Sequence, residues 1–161
     1  RDVYRSVGGE IGRDGEVMAK IEIKMPEEFL LKLSRLGNKT DEIIPKVLEA
    51  GGEVVLSKAK SNLSSVVGHG TKTKSRSTGE LEDSLGLSPA KQKRDGSGWD
   101  IKIGFAEPRS DGDSNAKIAN ILEYGKHGQP PKPFMRPARR QSRNAAIEAM
   151  KEKFDQEVER I

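Results

Sequence analysis

Cysteine is absent from this chain, and aromatic residues make up only 4% of its 161 residues. Without cysteine the protein forms no disulfide bond and no thiolate metal site. No apolar stretch approaches the roughly 20 residues that a membrane-spanning helix needs, so we expect no membrane partner. The hydrophobic share of 33% against a charged share of 34% predicts one domain with a modest core, and we expect partners to contribute to its order.

Side chains suited to catalysis or metal binding are also scarce. The only histidines, His69 and His127, lie in separate glycine-containing segments, and neither has a second ligand at helical spacing. Asp111 and Asp113 resemble the start of a calcium loop, but the glutamate that should follow is missing. No serine stands in the setting of an activated nucleophile. We therefore expect no enzyme activity, no cofactor and no bound metal.

Positive charge is concentrated in two stretches, although the net charge is only +4. Residues 124–147 contain no acid and carry Lys126, Lys132, Arg136, Arg139, Arg140 and Arg143. Residues 63–78 also contain no acid and carry Lys72, Lys74 and Arg76. Cations at the start of a helix oppose the helix dipole. Two interpretations stay open: an acidic surface, a subunit or nucleic acid faces these cations, or they form a solvated face near acids from elsewhere in the fold.

The first residues differ in composition from the rest of the chain. Residues 1–17 contain four glycines and only scattered apolar residues. We interpret them as an appended or flexible N-terminal segment. Residues 18–161 are predicted to form a single domain.

Hydrophobic periodicity in residues 18–161 predicts an α+β fold, in which a small, mostly antiparallel sheet packs against long helices. The sheet combines an N-terminal strand around Ile21 and Ile23 with a central hairpin of residues 87–93 and 99–106. Longer helices are predicted over residues 26–36, 41–63, 115–124 and 137–160. A short helix is expected to begin at a capping box of Ser77 and Glu80 and to carry Leu81 and Leu85.

The helices are predicted to bury specific faces. Gly51 lies on the apolar face of helix 41–63, where it predicts a close crossing by another element. Helix 115–124 is expected to turn Ile118, Ile121 and Leu122 inward. The inward face of the last helix is predicted to hold Ile147, Met150, Phe154, Val158 and Ile161.

Two segments between the helices are predicted to take part in assembly. Residues 64–78 are expected to form a mobile loop, because they cannot bury enough apolar surface to offset the entropy of ordering. Val66 and Val67 would anchor this loop on a partner, beside its cations Lys72, Lys74 and Arg76. Prolines at positions 130, 131 and 133 impose an extended turn, which Phe134 and Met135 are expected to anchor. Beyond it, Arg136, Arg139, Arg140 and Arg143 are expected to meet a partner.

Three short motifs give the chain a family resemblance. The first is Ser77-Thr78-Gly79-Glu80-Leu81-Glu82-Asp83-Ser84-Leu85, and the second is the hairpin segment Ile101-Lys102-Ile103-Gly104. The third is Ile121-Leu122-Glu123-Tyr124-Gly125, which leads to Pro133-Phe134-Met135-Arg136-Pro137-Ala138. Their order and spacing over residues 18–161 resemble those of the small neck, minor tail or tail-completion proteins of long-tailed bacteriophages and prophages.

This resemblance implies a structural virion protein at the head–tail junction or tail end, made in the cytoplasm of a bacterial host. It implies copies arranged as a ring, with a hexamer as one candidate, that act in tail completion and head–tail joining. The implied partners are adjacent neck, connector and tail-tube proteins. An alternative from the basic residues is a small DNA-binding accessory protein, in which the start of the last helix contacts phosphates without base specificity.

Overall fold

The computed structural model describes residues 19–70, 77–107 and 109–161. The interpretation of residues 1–17 and the assembly role of Lys72, Lys74 and Arg76 therefore fall outside the described residues and stay predictions. The elements, in chain order, are β1 (Ile21–Lys24), α1 (Glu27–Leu33), a 3-10 turn (Gly37–Lys39), α2 (Thr40–Val66), α3 (Glu80–Ser84), β2 (Leu85–Leu87), β3 (Lys91–Gln92), β4 (Trp99–Phe105), α4 (Asn115–Tyr124) and α5 (Met135–Glu159).

The strands form one small antiparallel sheet with β4 at its centre. Strand β1 pairs with one side of β4, and β2 and β3 pair with the other. In register, Ile21 lies opposite Ile103 and Ile23 lies opposite Ile101. These four isoleucines are fully buried, because strand alternation directs them to the face that the helices cover. The predicted α+β class, with an N-terminal strand and a central hairpin, is confirmed.

Helices α2 and α5 pack along each other and form the largest contact between elements. Glycines in α2 allow close approach on two sides. A Cβ atom at Gly51 would overlap the side chain of Met150 in α5, and one at Gly52 would lie 2.8 Å from Leu87 Cδ1 in β2. The close crossing predicted at Gly51 is therefore confirmed, with α5 as the crossing element.

Several local predictions were wrong about where an element begins or ends, or about how it is capped. Helix α2 continues to Val66, so the first residues of the predicted loop 64–78 are helical. Leu85 belongs to β2 rather than to the short helix. The predicted capping box does not place Ser77 at the N-cap of α3: that position is Gly79, with a φ of +81° and no side chain to cap the helix. The Glu80 carboxylate instead accepts hydrogen bonds from Ser110, which is 30 residues away.

The inward faces of the last two helices also differ from expectation. In α4 the buried side chains are Asn115, Ala119 and Glu123, whereas Ile118 and Leu122 are only partly buried against the core. Helix α5 begins at Met135 rather than Pro137, and its buried positions include Met150 and Phe154 as predicted. Ile161 was predicted to face inward, but it lies beyond the helix and is 55% exposed.

Candidate functional site

The carboxylate of Glu123 holds the start of α5 in place. Its Oε2 atom accepts hydrogen bonds from the backbone N–H groups of Phe134 at 2.8 Å and Met135 at 2.9 Å. Its Oε1 atom accepts from the backbone N–H of Arg136 at 3.0 Å and from Arg136 Nε at 3.3 Å. The first N–H groups of a helix have no partner within the helix and carry the positive end of its dipole. A single carboxylate from α4 therefore caps α5 across the turn.

Burial makes this contact strong. The Glu123 side chain is fully buried, and a buried charge is tolerated only when it is paired and hydrogen-bonded. Here three backbone donors and one guanidinium supply that compensation. We did not predict a role for Glu123 beyond its place in a motif. The signal was a glutamate in the last turn of a helix, where the dipole disfavours an acid.

Gly125 allows the chain to reverse directly after Glu123. Its φ is +76°, and a Cβ atom there would lie 2.8 Å from the Gln129 carbonyl oxygen and 2.9 Å from the Pro131 nitrogen. The Lys132 N–H then donates to the Leu122 carbonyl oxygen at 2.6 Å. The returning chain thus lies against the end of α4, and only glycine fits at this position. This geometry explains why a glutamate and a glycine stand two residues apart in the motif.

Phe134 and Met135 are fully buried inside the chain. The ring of Phe134 packs edge-on against Phe105 with 6.1 Å between centroids. The Asn62 side-chain amide donates to the Phe134 carbonyl oxygen at 3.2 Å. Both residues thus anchor the proline-rich turn in the core, and in this conformation neither is accessible to a partner. Their predicted role in assembly can only be indirect, through the position of α5.

We define the basic face as Arg136, Arg139, Arg140 and Arg143 of α5. Arg140 and Arg143 are exposed, and neither forms an ion pair with the part of the chain that the structure describes. The Arg136 side chain is 53% exposed. Its guanidinium lies 5.4 Å from the centroid of the Tyr124 ring, a cation–π contact. Arg139 is half-buried.

The end of α2 lies near the proline-rich turn. Val66 and Val67 are half-buried against the core, so part of the apolar surface predicted for a partner is already covered. The Lys132 ammonium donates to the His69 carbonyl oxygen. The structure therefore brings the start of the predicted loop beside the turn that leads to the basic face.

We define the acidic surface as α3 together with residues 107 and 109–113. The Ser110 N–H and hydroxyl each donate to Glu80 at 2.7 Å, and these two bonds lower the pKa of Glu80. The Arg109 side chain pairs with Asp111 at 3.2 Å and lowers the pKa of that carboxyl. Glu107 accepts from the Ala116 N–H at 2.7 Å and so caps α4. The loop is thereby fastened to both helices.

A third polar cluster surrounds Glu157 near the end of α5. This carboxylate is 5% exposed and pairs with Lys46 at 2.6 Å, Arg160 at 3.1 Å and Lys153 at 3.3 Å. The hydrogen bond from Lys46 is the largest cause of the lowered pKa of Glu157. An open groove of about 800 Å³ runs beside the cluster toward Leu87 and Pro89. The cluster ties α5 to the start of α2.

Other kinds of site have little support in the described ranges. Within residues 19–70, 77–107 and 109–161, no group of three histidine or acidic side chains is arranged to hold a metal ion. In the same residues, no helix has the length and apolar character needed to cross a membrane. The hydrogen bonds and ion pairs of the three polar clusters join elements of the fold to one another.

A comparison with models of protein families identifies a family for this chain. The model of the family described as "Bacteriophage HK97-gp10, putative tail-component" matches residues 27–125. Neither the curated proteins nor the solved structures gave a significant match. The matched region begins with α1 and ends at Gly125, so it includes Glu123 but not the basic face. Because it covers more than half of the chain, this protein belongs to the HK97 gp10-like family of bacteriophage tail components.

Proposed function

We propose that this protein assembles as a ring at the junction of head and tail and acts in tail completion and head–tail joining. As a member of a tail-component family, it has a structural role in the virion. The family match carries the proposal, because a tail component works through contacts with other structural proteins. The adjacent neck, connector and tail-tube proteins are the proposed partners.

The polar groups of the structure support a structural role rather than an enzymatic one. Glu123, Glu157 and Glu107 each use their carboxylate oxygens to join elements of the fold. The contacts that the structure describes for these three carboxylates are all with groups of the chain itself, and a structural role accounts for them. What the described surface offers instead is exposed charge, which suits contacts between subunits. We therefore propose that the protein has no catalytic activity.

Deletion of the gene from its phage or prophage tests the function. Loss of a head–tail joining protein should leave filled heads and separate tails, both visible by electron microscopy, and complementation should restore joined particles. Complementation with Glu49→Gln, a change at an exposed residue of α2, provides the matched control. Normal yields of infectious particles from the deletion strain would disprove the proposal.

Ring formation is tested separately on the purified protein. We expect native mass spectrometry to detect a closed oligomer, with six copies as the first candidate, either alone or with neck proteins added. Sedimentation velocity over a wide concentration range should give the same stoichiometry. A protein that remains monomeric under all of these conditions does not form the proposed ring.

A DNA-binding accessory role is the second candidate. The exposed Arg140 and Arg143, which lack an ion pair within the described residues, favour it. Phosphate contacts release counterions, so duplex affinity should fall steeply as salt rises. Duplex binding that is strong at low salt and lost after Arg140→Glu and Arg143→Glu would support this role. Undetectable binding at low salt would exclude it.

A further inference from the structure

Charge is separated along helix α4. Its N-terminal end follows the acidic surface, in which six carboxylates (Glu80, Glu82, Asp83, Glu107, Asp111 and Asp113) face one cation of that surface, Arg109, and one of α4, Lys117. Its C-terminal end leads through the proline-rich turn to the basic face. Ten helical residues span about 15 Å. The acidic surface thus adjoins the first turn of α4, and the basic face follows its last turn; both also lie beside the end of α2, through contacts of Ser64 with Glu82 and of Asn62 with Gln141 in α5.

Two contacts fix the position of the first arginine of the basic face. Arg136 is oriented by Glu123 and stacks on Tyr124, which is 37% exposed and the largest side chain among the exposed hydrophobic residues described. Arginine and tyrosine are the residues that most often dominate the energy of protein interfaces. Because both are already fixed, they lose little conformational entropy on binding. Arg140 and Arg143 extend the same helix into solvent.

Hydrogen bonds also fix the acidic surface. Two bonds from Ser110 to Glu80 fasten residues 109–113 to α3. The side chains of Asp111 and Asp113 remain 54% and 50% exposed, and Asp83 is exposed on α3. This surface can thus meet a partner without rearranging its backbone.

We infer that the basic face of one copy docks on the acidic surface of a second copy. Charge complementarity selects this occupant, because the two surfaces have opposite sign and one chain carries both. We take the contact as head-to-tail, because that arrangement repeats from copy to copy and forms the proposed ring when its rotation closes, whereas a two-fold pair would use the same contact twice and stop at a dimer. This inference rests on the proposed function and names the subunit contact that the ring would use.

Charge reversal on each side tests the contact. The basic variant is Arg140→Glu with Arg143→Glu, and the acidic variant is Asp83→Arg with Asp113→Arg. Each alone should weaken self-association by about tenfold or more in sedimentation velocity at low salt, because two reversals bring the net charge of the altered surface close to zero and the attraction is lost. The chain that carries all four changes should regain association, since the introduced glutamates of one copy can then pair with the introduced arginines of the next.

Mixing the two variants gives a sharper result. In an equimolar mixture, the unchanged basic face of the acidic variant can meet the unchanged acidic surface of the basic variant, whereas every contact between like variants includes one altered surface. Native mass spectrometry should therefore detect oligomers in which the two variants are present in equal numbers. The matched controls change the same charge elsewhere: Arg35→Glu with Lys39→Glu, and Glu49→Arg with Glu53→Arg. They should associate as the unchanged protein does, and circular dichroism should show all variants folded.

The outcomes separate this contact from the ring itself. If the unchanged protein forms a ring and neither reversal weakens it, the ring stands and this contact is wrong. If the basic variant loses duplex affinity but keeps its self-association, the basic face binds DNA and the inferred contact between copies is also wrong. If the unchanged protein never associates, both the ring and the contact are rejected.

Discussion

The Glu123 carboxylate and the Phe134 backbone N–H are joined by a buried hydrogen bond of 2.8 Å across the turn between α4 and α5. The same carboxylate accepts from Met135 and Arg136. One side chain therefore satisfies three consecutive donors that α5 itself cannot satisfy. The position of the whole C-terminal helix relative to α4 depends on this residue.

Replacing Glu123 by glutamine should lower the free energy of unfolding by about 3 kcal/mol. The amide removes the negative charge at the helix start and turns an N–H₂ donor toward backbone donors. Urea denaturation followed by circular dichroism measures the change. Glu49→Gln, at an exposed site on α2, should change stability by less than about 0.5 kcal/mol. Equal stability of the two variants would contradict the capping role.

Alanine substitutions at Gly125 and Gly128 distinguish the cost of backbone strain from the cost of steric overlap. Both have positive φ, +76° and +77°, but only Gly125 has atoms within 4 Å of an added Cβ. Gly128→Ala should therefore cost about 1–2 kcal/mol, from the left-handed backbone alone. Gly125→Ala should cost more, because its Cβ meets backbone atoms that cannot move aside. Thermal unfolding of both variants provides the test, and an equal loss would show that the overlap is relieved.

Gly51→Ala should destabilise the protein by about 1–3 kcal/mol, because the added methyl group overlaps Met150 between α2 and α5. Gly86 and Gly104 provide the contrast, since neither has positive φ and a Cβ at either meets no atom within 4 Å. Alanine at these strand positions should be neutral or slightly stabilising. Urea midpoints for the three variants measure the difference. A neutral Gly51→Ala would mean that Met150 has room to move.

Acid should weaken the link between α2 and α5 at Glu157. The pKa of this carboxyl is lowered in the folded protein from its usual 4.5, chiefly by the hydrogen bond from Lys46. A carboxyl with a lowered folded pKa contributes stability above its unfolded pKa and loses it as pH falls through the folded value. The stability difference between the unchanged protein and Glu157→Gln should therefore shrink below about pH 4.5. Denaturation from pH 7 to 3 checks this, with Glu53→Gln as the exposed control.

Periodic and local patterns predicted most of the fold. One charged residue separates Ile21 from Ile23, and another separates Ile101 from Ile103. This alternation identified the buried strand faces, because a strand places alternate side chains on one side. Helix 115–124 was predicted with the limits that it has in the structure. These features depend on neighbours within a few residues. A single sequence contains that information directly.

The features that were missed depend on partners far along the chain. Glu123 has the sequence signature of a solvated helix end, and its donors lie 11 to 13 residues later, beyond a reversal. Glu80 has capping-box spacing, but its carboxylate accepts hydrogen bonds from Ser110 instead. Competing hydrogen bonds of this kind are decided by tertiary packing. Of the assembly residues, Phe134 and Met135 were correctly expected to anchor the turn, and the roles of the arginines in assembly stay predictions.

The capping of α5 by α4 restricts how this chain can change in length. Each residue inserted into a helix turns everything beyond it by about 100° and moves it about 1.5 Å along the axis. One residue added between Asn115 and Glu123 would swing the carboxylate away from the three backbone N–H groups it now satisfies. Loops such as residues 93–98 absorb an insertion at the surface. Insertions and deletions should therefore be tolerated in the hairpin turn and rejected in α4, where helix length matters as much as residue identity.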